Sequence, residues 1–293
     1  MNSLDLELPP MTVIDVVGRD ADNDATAAPI PKIIWSFWHD ATPPLIVQRC
    51  VDGWRRLNPG YRVELLHAGT VNRFIQQADL PRGFDKLSNF RKADWLRLAL
   101  VSRHGGVWMD ASILLTRSLD WLVDPQRSKG RFTGFYLEGY TTRRDRPVIE
   151  NWCFAAPAGN VFVTRWCQVF TEEVIEASEL QFLQKLESKG IYEQVVGAID
   201  NPKYLAAHVA AQYVLHESGT TGMRLIKAED SAYLHHAQVG WKRRTLLWLI
   251  LIRKAATHTA PLIKLRKKER ERIERYLRWG FFRQGSIASI FLK

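Results

Sequence analysis

The chain changes its hydrophobic rhythm several times. Lys32-Ile33-Ile34-Trp35-Ser36-Phe37-Trp38 is short, β-branched and aromatic, which predicts a buried strand. Pro43-Pro44 then opens a helix, since proline is tolerated in a first helical turn. Asn58-Pro59-Gly60 stops it, and Tyr61 to Leu66 alternates like a second strand. Strand, helix and strand in that span make a βαβ unit, which favours a parallel sheet. A longer helix is predicted from Asp85 to His104, ending where Gly105-Gly106 supplies a left-handed cap. Val107-Trp108-Met109 reads as a short apolar strand closing on Asp110, with Ile113 to Leu115 directly behind it. Further strands are expected at Phe132 to Leu137 and Trp152 to Ala156. Helices are expected at 161–176, 179–188, 202–217 and 245–256, with a basic helix after Pro261.

The long helix carries the first hint of chemistry. On a wheel of 100° per residue, Leu87, Phe90, Leu98 and Val101 share one sector with Asp94, and Arg97 lies on its flank. Trp95, Leu96, Ala99 and Leu100 fill the rest of the turn, so the helix is expected to be buried nearly all round. An ionised carboxylate there is costly unless it is paired or binds something. Asp94 with Arg97 therefore reads either as a structural ion pair at i, i+3 or as part of a site. Asp110 adds weight to the second reading. It ends a predicted strand, and ligands of open α/β sheets bind outside the carboxyl ends of strands. An aspartate that merely starts a turn is the alternative.

Composition narrows the class. Of 293 residues, 46% are hydrophobic and 25% charged, which excludes disorder and low-complexity scaffolds. Cys50, Cys153 and Cys167 make an odd count without CxxC spacing, so neither a disulfide framework nor a structural zinc site is expected. A reducing compartment fits. The formal charge of +10 is unevenly spread. Residues 1–30 hold one basic and six acidic residues, whereas 241–293 hold fifteen basic and three acidic ones. Residues 1–29 are thus expected to be a flexible acidic leader, 30–240 the main domain, and 241–293 a basic helical extension.

No basic, apolar-cored secretory signal opens the chain. The longest strongly apolar stretch, Leu246 to Ile252, is far short of the ~20 residues of a spanning helix. In the basic extension, Leu262, Leu265, Ile273, Tyr276 and Leu277 recur opposite the charges, with Trp279, Phe281 and Phe282 beyond them. That pattern suits an interfacial helix on an anionic membrane surface. A solvated basic helix packed on the main domain is the alternative. Nucleic acid ranks last as a partner, because no binding motif or aromatic platform accompanies the basic run. The expected location is cytoplasmic and peripheral, at the inner face of the membrane.

The run Ser88-Asn89-Phe90-Arg91-Lys92-Ala93-Asp94-Trp95-Leu96-Arg97-Leu98, continued by Gly105-Gly106-Val107-Trp108-Met109-Asp110-Ala111-Ser112, resembles the sugar-binding region with the DxD motif of glycosyltransferases. It looks like the capsular polysaccharide synthesis family, related to family 32 and to the large clostridial toxin glucosyltransferases. Ile30 to Trp38 is similar to that family's first strand, and Asn151 to Pro157 to a later one. The resemblance covers about residues 30–175, weakening towards 240. It implies a GT-A-like, Rossmann-type central sheet flanked by helices over 30–240, and sugar transfer from a nucleotide-sugar donor to a surface-polysaccharide, lipid-linked or other glycan acceptor. It implies that Arg91, Asp94, Arg97, Asp110 and Ser112 contact the donor, Asp110 at the ribose, that Asp110 acts catalytically with Asp94 and helps hold a metal, and that Trp38 stacks on the base. By analogy with a closing late loop, His235 and His236 become candidate donor contacts.

The sequence departs from the motif at its second aspartate, which is Ser112 here. A serine hydroxyl is a weak neutral ligand, while Mn2+ and Mg2+ favour carboxylate and phosphate oxygens. Either a divalent metal is held by Asp110, the diphosphate and water, or basic side chains such as Arg91 and Arg97 take over its electrostatic role. A non-catalytic membrane- or polyanion-binding protein on a degenerate transferase scaffold is the rival reading.

Overall fold

β2 (Ile33–Phe37), α1 (Leu45–Leu57) and β3 (Arg62–Leu66) form the expected βαβ unit, with β2 and β3 parallel and Ile33 opposite Arg62. The computed structural model describes residues 7–16, 28–124, 128–219 and 222–293. After α2 (Asn89–His104), β4 (Gly106–Met109) lies parallel to β2 on its other side. α2 starts four residues later than the predicted Asp85, because the Ser88 hydroxyl caps it by accepting from Arg91 N.

The Gly105-Gly106 turn has a steric reason. Both residues adopt positive φ, 63° and 101°. A Cβ on Gly105 would lie 2.6 Å from Ala158 N, and one on Gly106 would lie 2.7 Å from Ile33 O. Only glycine lets the chain reverse so tightly from α2 into β4.

The remaining elements in chain order are β5 (Ile113–Leu115), β6 (Phe132–Leu137), β7 (Val148–Ala156), α3 (Val161–Val169), α4 (Glu179–Ser188), α5 (Tyr192–Val195) and α6 (Ala206–Ser218). Then follow β8 (Met223–Lys227), α7 (Leu234–Gln238), α8 (Arg243–Leu251), β9 (Leu262–Lys264), α9 (Lys267–Arg278) and α10 (Ile287–Phe291). A π-helical segment, Phe170–Ala177, completes the helix begun by α3. With β1 (Val13–Val16), the main sheet runs β1-β8-β6-β7-β4-β2-β3. It is mixed: β7 is antiparallel to both β4 and β6, β1 is antiparallel to β8, and the other pairs are parallel. The fold is therefore α/β, a mixed sheet with flanking helices.

Side chains alternate across the sheet and feed two cores. Trp35 and Trp108 point into the core under α2, α3 and α6, while Ile34, Val107 and Met109 point into the one under α1 and α8. Buried polar groups are tied down. Trp35 Nε1 donates to Gly105 O at 2.8 Å, and Ser36 Oγ donates to Met109 O at 2.6 Å.

Two of the predicted boundaries need correction. Part of the acidic leader is a strand: Val13–Val16 pairs with β8, and Asp15 bonds to Arg131 at 2.8 Å and Arg224 at 3.2 Å. It is four residues long and its partner β8 begins only at Met223, so nothing local marked it. Residues 1–6 and 17–27 of that leader lie outside the described residues.

Nor is 241–293 a separate extension. β9 pairs antiparallel with β5, Leu262 opposite Leu115, in a small second sheet. Leu262, Ile263, Leu265, Ile273 and Leu277 are all buried in the second core. The apolar stripe expected to meet lipid therefore meets α1 and α8 instead, since a stripe of that width is buried by whichever apolar partner lies nearest. Among the described residues, no helix is long and apolar enough to cross a membrane.

Candidate functional site

A cleft of about 1320 Å3 opens at the carboxyl ends of β2 and β4. Two parallel strands ending side by side put Trp38 and Asp110 on one rim. Asp110 N donates to Trp152 O at 2.8 Å, which fixes its backbone against β7. α2 brings Arg91 and Arg97 to the wall.

Asp94 sits behind that wall, fully buried. Its carboxylate accepts from Asn151 Nδ2 at 3.1 Å and pairs with Arg97 Nη1 and Arg91 Nη1, each at 3.2 Å. Burial raises its pKa above the ordinary carboxylate value, against the pull of the two guanidinium groups. Both readings of Asp94 thus meet in one group: it is the i, i+3 partner of Arg97 and the anchor that orients Arg97 and Arg91 towards the cleft. Arg97 also donates to Asn151 O at 3.1 Å and reaches Asp110 Oδ1 at 3.3 Å, with its guanidinium 5.4 Å from the Trp108 ring. Arg91 bonds to Glu179 at 3.0 Å and to the carbonyls of Lys203 and Tyr204.

Asp110 is partly exposed to the cleft. Oδ1 accepts from Trp108 Nε1 at 3.1 Å, and Oδ2 accepts from Lys264 Nζ. Burial opposes its ionisation, but Lys264 and Arg97 outweigh burial and hold the carboxyl below its ordinary value. Ser112 is buried in the wall of the same cleft.

Trp38 lines the cleft, while Trp35 is a core residue. The Trp38 ring is covered by the Arg270 guanidinium at 4.9 Å, and its Nε1 is buried with no hydrogen-bond partner. The two histidines go elsewhere. His235 is buried, with Nδ1 near Gln238 Oε1 at 2.9 Å and Nε2 accepting from Ala260 N at 3.1 Å. His236 is wholly buried and lies 3.0 Å from Glu269. Neither borders the cleft, because α7 turns both imidazoles inward to brace the start of β9 and α9. Tyr233 and Trp241, the flanks of that cluster, are the residues that do line it.

Sequence reading missed several residues that line the cleft. Lys264, Arg266, Lys267 and Arg270 line the cleft from β9 and α9. Trp241 supports Arg266, whose guanidinium lies 5.4 Å from its ring while Nε bonds to Glu269 at 2.7 Å. Glu150 and His208, 2.9 Å apart and both buried, form a further cleft pair. Only the run of basic residues after Pro261 signalled any of these, and it pointed outward rather than to the site.

The donor set does not make a divalent-cation site by itself. Such cations take several oxygen ligands, carboxylates foremost. Both oxygens of Asp110 already face cationic or N–H donors, and Ser112 offers a neutral hydroxyl. Among the described residues no group of three or more His, Cys, Asp or Glu converges as metal ligands would.

Residues 18–177 match the model of a family described as capsular polysaccharide synthesis protein. The chain is 29% identical over 173 residues to the O-glycosyltransferase braB of Annulohypoxylon truncatum, covering 53% of this chain and 40% of that one. It is 29% identical over 158 residues to the glycosyltransferase afumC of Aspergillus fumigatus, covering 47% and 39%. The chain thus spans about two fifths of the length of the curated relatives it matches. Among solved structures it is similar to the PaToxG glycosyltransferase, with a TM-score of 0.33 and 14% identity over 65% of this chain and 80% of that one. It is also similar to the UDP-bound glycosyltransferase domain from the YGT toxin, with a TM-score of 0.33 and 10% identity over 89% and 82%. The family match takes in Trp38, Arg91, Asp94, Arg97, Asp110 and Asn151, and stops well before Lys264.

Proposed function

Because this chain belongs to the capsular polysaccharide synthesis protein family, we propose that it is a glycosyltransferase moving a sugar from a nucleotide-sugar donor to a hydroxyl of a surface-polysaccharide or lipid-linked glycan. The observation that carries the reading is the Asp110 constellation. A carboxylate at the carboxyl end of a parallel strand, clamped by Arg97 and Lys264, shares a cleft with Trp38 and a further guanidinium. A flat apolar ring beside a cluster of cations matches a nucleoside diphosphate, which is a flat base joined to a multiply charged anion.

In the reaction, the bond between the sugar's anomeric carbon and the diphosphate breaks, and its electron pair leaves on the phosphate oxygen. The acceptor oxygen bonds that carbon, and its proton passes to the departing diphosphate. Cations fixed around the departing diphosphate stabilise charge that develops only as the bond breaks. Asp110 fixes two of those cations in place. The GT-A character belongs to the same proposal, supported by the parallel strands whose ends form the cleft.

A thermal-shift panel of UDP-, GDP-, TDP- and CMP-sugars tests the donor. Specific binding stabilises the fold by mass action, and the expected outcome is a shift with one nucleotide family. No shift with any of them, together with no sugar released or transferred, sinks the reading and leaves a binding protein on the same scaffold.

The acceptor side has its own support. Trp279 and Phe281, beyond the end of α9, are 68% and 56% exposed next to the exposed basic residues Arg275 and Arg278. Aromatic rings beside arginines suit the headgroup region of an anionic membrane, where a lipid-linked acceptor would be found. The full chain is expected to sediment with phosphatidylglycerol vesicles and not with phosphatidylcholine ones. Trp279→Ala with Phe281→Ala is expected to abolish that, and unchanged sedimentation of the double variant would remove the membrane from the proposal.

A further inference from the structure

Lys264 stands where a metal ligand would be looked for, and it is a cation. Its ammonium bonds to Asp110 Oδ2, and both residues line the cleft. A lysine ammonium carries three donors, so two remain for another acceptor. In the first turn of α9, Arg270 lies over the Trp38 ring at 4.9 Å and makes no ion pair among the described residues. Burial lowers its pKa, with Glu271, Asp110 and Cys50 acting the other way. A half-buried guanidinium stacked on a ring and facing a cleft without a carboxylate of its own is in want of an anion. The neighbouring Arg266 is already neutralised by Glu269, so it does not compete for that role.

We infer that Lys264 and Arg270 together form the seat of the donor's diphosphate and supply, from the protein itself, the positive charge that a divalent cation would otherwise bring. The identity of the ligand rests on the glycosyltransferase reading; the anion seat does not. Asp110 then serves as the group that orients Lys264 and Arg97, rather than as a metal ligand. Ser112 fits this arrangement, since a second aspartate there would set another negative charge beside an anion site.

Inorganic pyrophosphate is the probe, because it carries the diphosphate without base or sugar. Calorimetric titration of the full chain is expected to show it binding in EDTA, with affinity little changed by Mg2+. Lys264→Gln and Arg270→Gln are each expected to weaken binding about tenfold, and Lys264→Arg to keep most of it. Arg270→Gln leaves the Asp110 ion pairs intact, so it decides the matter if Lys264→Gln fails to fold. Binding that requires Mg2+, or that survives both glutamine variants, overturns the inference. If pyrophosphate binds in EDTA and no nucleotide-sugar does, the anion seat stands and the transferase reading falls. If nucleotide-sugars bind only with metal, the transferase reading stands and the metal-free seat falls.

Discussion

The two walls of the cleft treat charge in opposite ways. On the α2 wall, Arg91 and Arg97 are both tied to the buried Asp94, with Asn151, Glu179 and Asp110 completing the network. On that wall every guanidinium is matched by carboxylates. On the β9–α9 wall, Lys264 and Arg270 face the cleft, and only Lys264 is paired, with Asp110. In the proposed reaction the first wall would set geometry and the second potential. Their difference teaches that a site's architecture and its affinity for a charged ligand can come from segments far apart in the chain.

The sharpest way to break this comparison is to remove Asp94. Asp94→Ala removes the buried anion that Arg91 and Arg97 share, leaving each with one more exposed carboxylate, Glu179 and Asp110, and it is expected to cost about 3 kcal/mol of stability in urea unfolding. A loss below ~1 kcal/mol would mean that the α2 wall is not a closed network. Asp110→Ala comes next. It releases Lys264 and Arg97 together, and sugar transfer is expected to fall about 100-fold while the fold persists by circular dichroism. Full turnover would detach Asp110 from the chemistry.

Glu269 tests how the second wall is braced. Burial opposes its charge, yet hydrogen bonds from His236 and Arg266 bring its pKa down to about 2 from 4.5. A group depressed in the folded state stabilises the fold above its ordinary pKa and loses that contribution as pH falls through the folded value. The wild type is therefore expected to lose on the order of 2 kcal/mol between pH 4.5 and pH 2 that Glu269→Gln does not lose. Parallel pH curves for the two proteins would refute the bracing role. The smallest effect is at the rim, where Trp38→Ala is expected to weaken nucleotide binding about tenfold through lost stacking. Pyrophosphate binding should weaken less, since only the support under Arg270 is lost.

Much of the first wall was legible in the sequence. The βαβ rhythm, the Gly105-Gly106 reversal and the spacing from Asp94 to Asp110 all report local constraints, and local constraints leave periodic marks. That Asp94 is fully enclosed was not legible, because Asn151, 57 residues away, meets the same carboxylate. The second wall was legible in composition but not in place. A basic amphipathic helix carries the same pattern whether its apolar side lies on lipid or on α1, because periodicity records that a face is buried and not what buries it. β1 and β9 escaped notice for a related reason: they are short strands whose partners, β8 and β5, are remote in sequence. His235 and His236 show the reverse error, in which residues with a chemical reputation turn out to brace the backbone.

The bond between Lys264 and Asp110 spans 154 positions of chain. At the usual pace of translation, about 5–20 residues per second, a ribosome takes about 8–30 seconds to travel from one residue to the other. Throughout that interval the nascent polypeptide already contains the parallel strands that can nucleate, while the cations that complete the cleft have yet to be synthesised. This surface is therefore incomplete until the ribosome has passed Lys264, however early its first-made half collapses.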